Sequence, residues 1–81
     1  MFEKEVRFLE QLENTKYSNP DEWMFIQNIC SSLKKGDIES FNENYYAYHT
    51  IKRNSRFYSR EGFEITEGIF YKLNPQFKKR N

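Results

Sequence analysis

The sequence predicts a mainly α-helical fold with a three-helix core, because apolar residues recur every three or four positions over most of residues 2–51. Two pairs of capping residues, Asn19-Pro20 and Gly36-Asp37, divide this stretch into helices. The residues after Asn54 fit two structures. They predict either a C-terminal β-hairpin, which would make the chain winged-helix-like, or a fourth helix.

The first helix is predicted over residues 3–13. Phe2, Val6 and Leu9 follow one another at steps of four and three residues, which places them on one helical face, and Leu12 continues that face. Residues 14–19 are predicted to form a loop.

The second helix is predicted over residues 20–35, with signals at both ends. Asn19 suits the N-cap, and Pro20 suits the first helical position, where its missing N–H costs nothing. Glu22 stands three residues after the cap, as in a capping box, and Gly36 is a common C-terminal stop. The apolar stripe of this helix comprises Trp23, Ile26, Ile29, Cys30 and Leu33.

The third helix is predicted to start after Asp37, which can cap it, and to run to about Arg53. Its inward stripe is predicted to contain Ile38, Phe41, Tyr45 and Tyr48 at helical spacing, with Ile51 extending it. The short link before it forces a sharp corner between the second and third helices. The two stripes that meet there predict a core of Trp23, Ile26, Ile29, Leu33, Phe41, Tyr45 and Tyr48.

The C-terminal segment is the ambiguous one. Aromatic and β-branched residues within 56–73 favour strands, with residues 60–62 as the hairpin loop. The same residues fit a helix over residues 63–73, in which Gly68 would cost about 1 kcal/mol. The inward positions of that helix would be Ile65, Ile69, Phe70 and Leu73.

The length of 81 residues predicts one small globular domain, over residues 1–74, followed by a basic tail over residues 75–81. Eight Phe, six Tyr and one Trp supply the apolar area that so short a chain needs, since each ring can bury about 150–250 Å². A homodimer interface would be a further source of buried area.

The composition argues against several kinds of site. Cys30 and His49 are the only Cys and His, whereas a zinc site uses about four such ligands, so neither a metal nor a cofactor is expected. Cys30 lies on an apolar stripe, where a thiol is inert, and His49 is expected to be a partly exposed surface residue. Since no residues converge in catalytic roles, no catalytic residue is assigned and the chain is predicted not to be an enzyme.

A cytoplasmic location is expected. A single Cys forms no intramolecular disulfide, and the charged N-terminus lacks a signal-peptide core. The longest uncharged run, residues 23–33, has eleven residues, whereas about 20 are needed to span a bilayer. No association with a membrane is therefore predicted.

The formal charge of +1 conceals a difference between the two halves of the chain. Residues 1–40 carry a net charge of −3 and residues 41–81 a net charge of +4. A basic half of this kind predicts a partner whose complementary patch is acidic.

A candidate partner surface lies in the basic half. Tyr46, His49 and Arg53 recur at helical spacing on a face predicted to lie away from the Phe41 and Tyr45 stripe. Arginine interleaved with aromatic residues is typical of protein-interface hot spots and of single-strand nucleic-acid binding, although a solvated helix face has the same composition. Arg56 would continue the stripe if the helix does, and Arg60 is nearby in sequence. The predicted partner-binding residues are Tyr46, His49, Arg53, Arg56 and Arg60.

These observations predict a small non-enzymatic regulator that binds a larger protein partner as an inhibitor or adaptor. Small, aromatic-rich chains without a catalytic site are typical of proteins that phages and mobile elements encode. The alternative is a nucleic-acid-binding regulator that uses the third helix and the predicted hairpin.

Overall fold

The computed structural model describes residues 2–14, 19–52 and 59–77. Its α-helices are α1 (Glu3–Glu10), α2 (Pro20–Lys35), α3 (Ile38–Lys52) and α4 (Arg60–Leu73). Two short 3-10 helices follow α1 and α4, at Gln11–Asn14 and Pro75–Phe77. No β-strand occurs within the described ranges, so the mainly α fold with a fourth helix is confirmed and the hairpin alternative is wrong.

The predicted hairpin loop, residues 60–62, is the first turn of α4. The hydroxyl of Ser59 accepts a hydrogen bond from the Gly62 N–H at 3.2 Å, and this N-cap starts the helix. Gly68 lies inside the helix and is exposed. The aromatic and β-branched residues that favoured strands instead form the buried side of α4, which comprises Phe63, Thr66, Ile69 and Phe70 beside Gly62.

The ends of α2 lie where the sequence placed them. The side chain of Asn19 accepts a hydrogen bond from the Glu22 N–H at 3.3 Å. Gly36 adopts a left-handed conformation, with φ of 69°, and lets the Asp37 N–H reach the Ser32 carbonyl at 2.9 Å. Asp37 then accepts from the Ser40 N–H at 3.0 Å and caps α3, so one glycine produces the corner between the helices.

The helices bury one contiguous core. Six of the seven residues predicted for it are buried, while Trp23 is only half-buried. The core comprises Val6, Leu9, Ile26, Ile29, Cys30, Leu33, Phe41, Tyr45, Tyr48, Phe63, Ile69 and Phe70. In the described residues, α2 and α3 form the largest helix interface, with α1 packed on α2 and α4 packed on α3.

Other boundaries differ slightly from the predicted ones. The first helix ends at Glu10 rather than at residue 13 and tightens into the 3-10 turn, with Leu12 outside helical geometry and half-buried. The described part of α3 ends at Lys52, so Arg53 lies outside the described residues. The division between a domain at 1–74 and a tail at 75–81 stays a prediction.

Helices long and apolar enough to cross a bilayer are absent from the ranges that the structure describes.

Candidate interaction surface

Two exposed rings, those of Tyr46 and Phe77, pack against the buried Phe70 where α3, α4 and the C-terminal 3-10 turn come together. Tyr46 and Phe77 are each 53% exposed. Both contact Phe70: the Tyr46 ring meets it edge-on at 5.4 Å between centroids, and the Phe77 ring stacks on it at 6.0 Å. We call Tyr46, Phe70 and Phe77 the aromatic surface. It presents apolar area from residues 31 positions apart in the chain.

Tyr45 supports this surface from beneath. Its ring lies almost parallel to that of Phe70, with centroids 4.2 Å apart and an angle of 8° between the planes. Burial, together with the negative charge of Glu67, raises the pKa of the Tyr45 phenol well above its usual range. Tyr45 therefore stays neutral and offers the surface a rigid base.

A reciprocal pair of amides fixes the turn that carries Phe77. Asn42 Nδ2 donates to Asn74 Oδ1 at 3.1 Å, and Asn74 Nδ2 donates back to Asn42 Oδ1 at 2.9 Å. Asn74 Nδ2 also reaches the Phe70 carbonyl at 2.9 Å, while the Asn74 carbonyl accepts from the Phe77 N–H at 2.9 Å. Asn74 is buried, so these bonds hold Phe77 against Phe70.

His49 does not lie on the outer face that the sequence predicted. Its ring is 4.2 Å from that of Tyr45 and 5.1 Å from that of Phe63, and its side chain is half-buried between α3 and α4. The prediction placed His49 away from Tyr45, but residues four apart are neighbours on a helix, so they share a face.

The hydrogen bonds of His49 explain its orientation. Its Nε2 lies 3.0 Å from the Thr66 hydroxyl, which is itself 2.9 Å from the Gly62 carbonyl. The same hydroxyl is 3.1 Å from the Phe63 carbonyl, so the Thr66 side chain links the His49 ring to the backbone of α4. His49 therefore holds α3 against α4 and supports the neighbouring rings.

The structure does not bring Arg60 to Tyr46. Arg60 is at the start of α4 and its Nε pairs with Glu64 Oε1 at 2.9 Å on an exposed face. Ten residues of α4 separate it from Phe70, a distance of about 15 Å along the helix. Arg53 and Arg56 lie outside the described residues. Of the five predicted partner-binding residues, Tyr46, His49 and Arg60 are described, and Tyr46 alone lies on the aromatic surface.

The described surroundings of Tyr46 are acidic rather than basic. Glu39 and Glu43 precede it on α3 by seven and three residues, and both are exposed. Five of the eight basic residues that give the C-terminal half its positive charge are outside the described ranges. They are Arg53, Arg56, Lys78, Lys79 and Arg80.

A buried carboxylate joins three of the helices. Glu22 of α2 is fully buried. Its Oε2 accepts from the Tyr48 hydroxyl at 2.6 Å and from the Ser59 N–H at 2.7 Å. Its Oε1 has no hydrogen-bond partner among the described residues. The sequence placed Glu22 in a capping box with Asn19, but its side chain instead caps the start of α4, an arrangement with no local sequence signal.

Cys30 and His49 pack against different helices. Cys30 is buried against α1, with its Sγ 3.9 Å from the Val6 carbonyl, and burial is the main cause that raises the pKa of its thiol to about 11. His49 faces α4. Among the described residues, no group of three or more His, Cys, Asp or Glu side chains is arranged to hold a metal ion.

Comparisons with protein-family models, curated proteins and solved structures each return no significant match.

Proposed function

We propose that this chain is a small non-enzymatic regulator that binds a larger protein through the aromatic surface, as an inhibitor or adaptor. The exposure of Tyr46 and Phe77 around one buried ring supports the proposal most directly. Tyr is among the residues enriched at interface hot spots, where a ring already held in place loses little freedom on binding. A chain of this size and composition fits proteins encoded by phages or mobile elements.

In the proposed site Tyr46 is the central anchor and Phe77 joins it. His49 does not contact the partner in this proposal but fixes the packing of α3 against α4 that supports the aromatic surface. Arg53 and Arg56 belong to the proposal on sequence grounds alone. Arg60, at the far end of α4, would contribute only to an interface that extends about 15 Å beyond Phe70.

A nucleic-acid partner is the second candidate, and one observation favours it. Phe77 directly precedes Lys78-Lys79-Arg80, and an exposed ring beside basic residues is the arrangement that stacks bases and neutralises phosphates. The exposed Glu39 and Glu43 on α3 repel a phosphate backbone. The protein partner is therefore the preferred proposal.

Affinity capture from the organism that encodes the chain tests the proposal. Wild-type protein and Tyr46→Ala are immobilised in parallel and the bound proteins are identified by mass spectrometry. We expect one partner that wild type retains and Tyr46→Ala loses, with at least a tenfold weaker affinity, or about 1.4 kcal/mol, when the pair is measured directly.

Phe8→Ala is the matched control, because Phe8 is also a large exposed ring, 41% accessible, but lies on α1. It should retain the partner. Equal losses in both variants, or none in either, contradict the proposal. Binding of generic single-stranded DNA or RNA that Tyr46→Ala abolishes, with log affinity falling at roughly 0.7 per neutralised phosphate against log salt, favours the nucleic-acid function instead.

A further inference from the structure

A stripe of exposed residues runs along the outer side of α3 and includes Tyr46. It comprises Glu39, Glu43, Tyr46 and Thr50, which follow one another at steps of four, three and four residues and are all exposed. Steps of this size place side chains on one helical face. The stripe spans eleven residues, or about 16 Å. Two carboxylates therefore lie on the same face as the central ring of the aromatic surface.

The described part of the chain does not neutralise these carboxylates. The ion pairs found there lie between α1 and α2, between α1 and α4, and within α4, so neither Glu39 nor Glu43 pairs with a described residue. Burial raises the pKa of the Tyr45 phenol, and the negative charge of Glu67 raises it further, which places a third carboxylate near the surface. The described surroundings of Tyr46 thus favour a cation over an anion.

The Tyr46 ring offers a cation a second favourable contact. Two edge-to-face contacts hold this ring, with Phe70 at 5.4 Å and with Tyr45 at 5.6 Å between centroids. Its orientation is fixed by these contacts, yet the side chain stays exposed. An aromatic face attracts a cation that lies within about 6 Å of its centroid.

Arginine is the side chain that uses a ring and a carboxylate at the same time. Its planar guanidinium stacks on an aromatic face, while the N–H groups at its edge donate to a carboxylate in a two-bond fork. Glu43 and Tyr46 are three residues apart on α3, so their Cβ atoms are about 5–6 Å apart, a gap that one guanidinium spans. A lysine ammonium is a strongly hydrated point charge without a plane to stack.

We propose that the partner presents an arginine to the aromatic surface, with its guanidinium stacked on Tyr46 and paired with Glu43. Glu39 adds to the attraction from one turn away. The inference rests on the function proposed above, since it specifies the partner's contact residue at the same surface. It gives the partner's patch a positive sign, whereas the net charge of residues 41–81 predicts an acidic patch.

Short synthetic peptides test the inference on the full chain. They contain the same leucines and differ at one central position, which is arginine, lysine or citrulline, the neutral isostere of arginine. Backbone amide shifts in nuclear magnetic resonance spectra measure the binding. We expect the arginine peptide to shift the Tyr46 and Phe77 amides saturably and to bind at least about threefold more tightly than the citrulline peptide. The lysine peptide should bind with intermediate affinity.

Matched variants locate the binding. Glu43→Gln should weaken the arginine peptide by about two- to fivefold and leave the citrulline peptide unchanged, since only a charge is removed. Asp21→Asn removes the same charge at an exposed position of α2 and should alter the affinity by less than about 1.5-fold. Tyr46→Phe keeps the ring and should retain the arginine peptide, whereas Tyr46→Ala should lose it.

Four results would overturn the inference. They are amide shifts that no peptide changes, equal affinity for the arginine and citrulline peptides, tighter binding of the lysine peptide than of the arginine peptide, and equal effects of Glu43→Gln and Asp21→Asn. The function proposed above is judged separately, by the captured partner. If Tyr46→Ala loses that partner while Glu43→Gln retains it with unchanged affinity, the surface binds its partner without an arginine, and this inference alone fails.

Discussion

Glu22 connects three helices through one buried carboxylate oxygen. One carboxylate oxygen serves both the Tyr48 hydroxyl and the Ser59 N–H in a fully buried position. Glu22→Ala leaves both donors without an acceptor, so we expect the free energy of unfolding to fall by about 2–4 kcal/mol in chemical denaturation. Glu22→Gln keeps an acceptor oxygen at this position and should cost less than Glu22→Ala.

Tyr48→Phe removes the hydroxyl alone and serves as the comparison. In a double-mutant cycle with Glu22→Ala we expect a coupling of about 0.5–3 kcal/mol. A coupling near zero would show that the two side chains act independently, contrary to the 2.6 Å contact between them.

The raised pKa of the Cys30 thiol predicts how the stability of the fold depends on pH. Its pKa is raised from 9.0 to about 11 in the folded chain, chiefly by burial. Between these values the unfolded chain releases the thiol proton and the folded chain keeps it, so the unfolded state binds fewer protons and stability falls as pH rises. The contribution is fully present below pH 9 and is lost by about pH 11.

We therefore expect wild type to lose on the order of 2 kcal/mol more than Cys30→Val between those pH values. Denaturant unfolding of both proteins at a series of pH values measures the difference. Parallel pH profiles for the two proteins would contradict the assigned environment of the thiol. Partner binding should be retained in Cys30→Val, since the thiol has no predicted chemical role.

At the scale of the elements, α4 contains a matched pair of glycines. A Cβ at Gly62 would lie 2.5 Å from the Tyr48 hydroxyl oxygen, whereas a Cβ at Gly68 would meet nothing within 4 Å. Gly62→Ala should therefore destabilise the fold by about 1–3 kcal/mol, and Gly68→Ala should stabilise it by roughly 0.5–1 kcal/mol through helix propensity.

Thermal unfolding followed by circular dichroism distinguishes the two variants. A hairpin over the same residues gives no reason for Gly68→Ala to stabilise, so the opposite signs test the helix as well as the packing. Destabilisation of similar size at both positions would be incompatible with α4 as described.

The elements differ in how far the sequence could predict them. α2 was predictable to the residue because Asn19 and Gly36 act locally at its two ends. The ambiguity at α4 arose because Phe, Tyr and Ile favour strands by intrinsic preference. The spacing of Phe63, Thr66 and Phe70 already matched a helix, and packing on α3 decided the outcome.

The same distinction between local and distant interactions applies to the candidate site. Helical spacing identified Tyr46 as a surface residue, and the structure leaves it exposed. Phe77 could not be assigned to the same surface, because the Asn42–Asn74 pair that positions it joins residues 32 apart. Bonds of that sequence separation follow from the fold and leave no local pattern.

At the scale of the whole molecule, the described helices share one core and should unfold together. Ile29 is fully buried at its centre on α2. Ile29→Ala removes buried methyl groups and leaves a cavity, which costs about 2–5 kcal/mol. For a small domain with a typical stability of about 5–15 kcal/mol, the melting temperature should fall markedly. An unchanged melting temperature would refute the packing of α2 against its neighbours.

Cooperativity gives the final prediction. Glu22 links α2 to α3 and to the start of α4, and the aromatic residues of α3 and α4 stack on one another. None of these three helices can therefore separate without exposing buried polar or aromatic groups.

Trp23 fluorescence reports on α2, whereas far-ultraviolet circular dichroism reports on all the helices. We expect the two unfolding curves in urea to coincide for wild type. In Glu22→Ala both midpoints should move to lower urea together, since the whole unit is weakened. A dichroism curve that begins to fall well before the Trp23 signal would show that a helix other than α2 unfolds first and that the described helices do not form one cooperative unit.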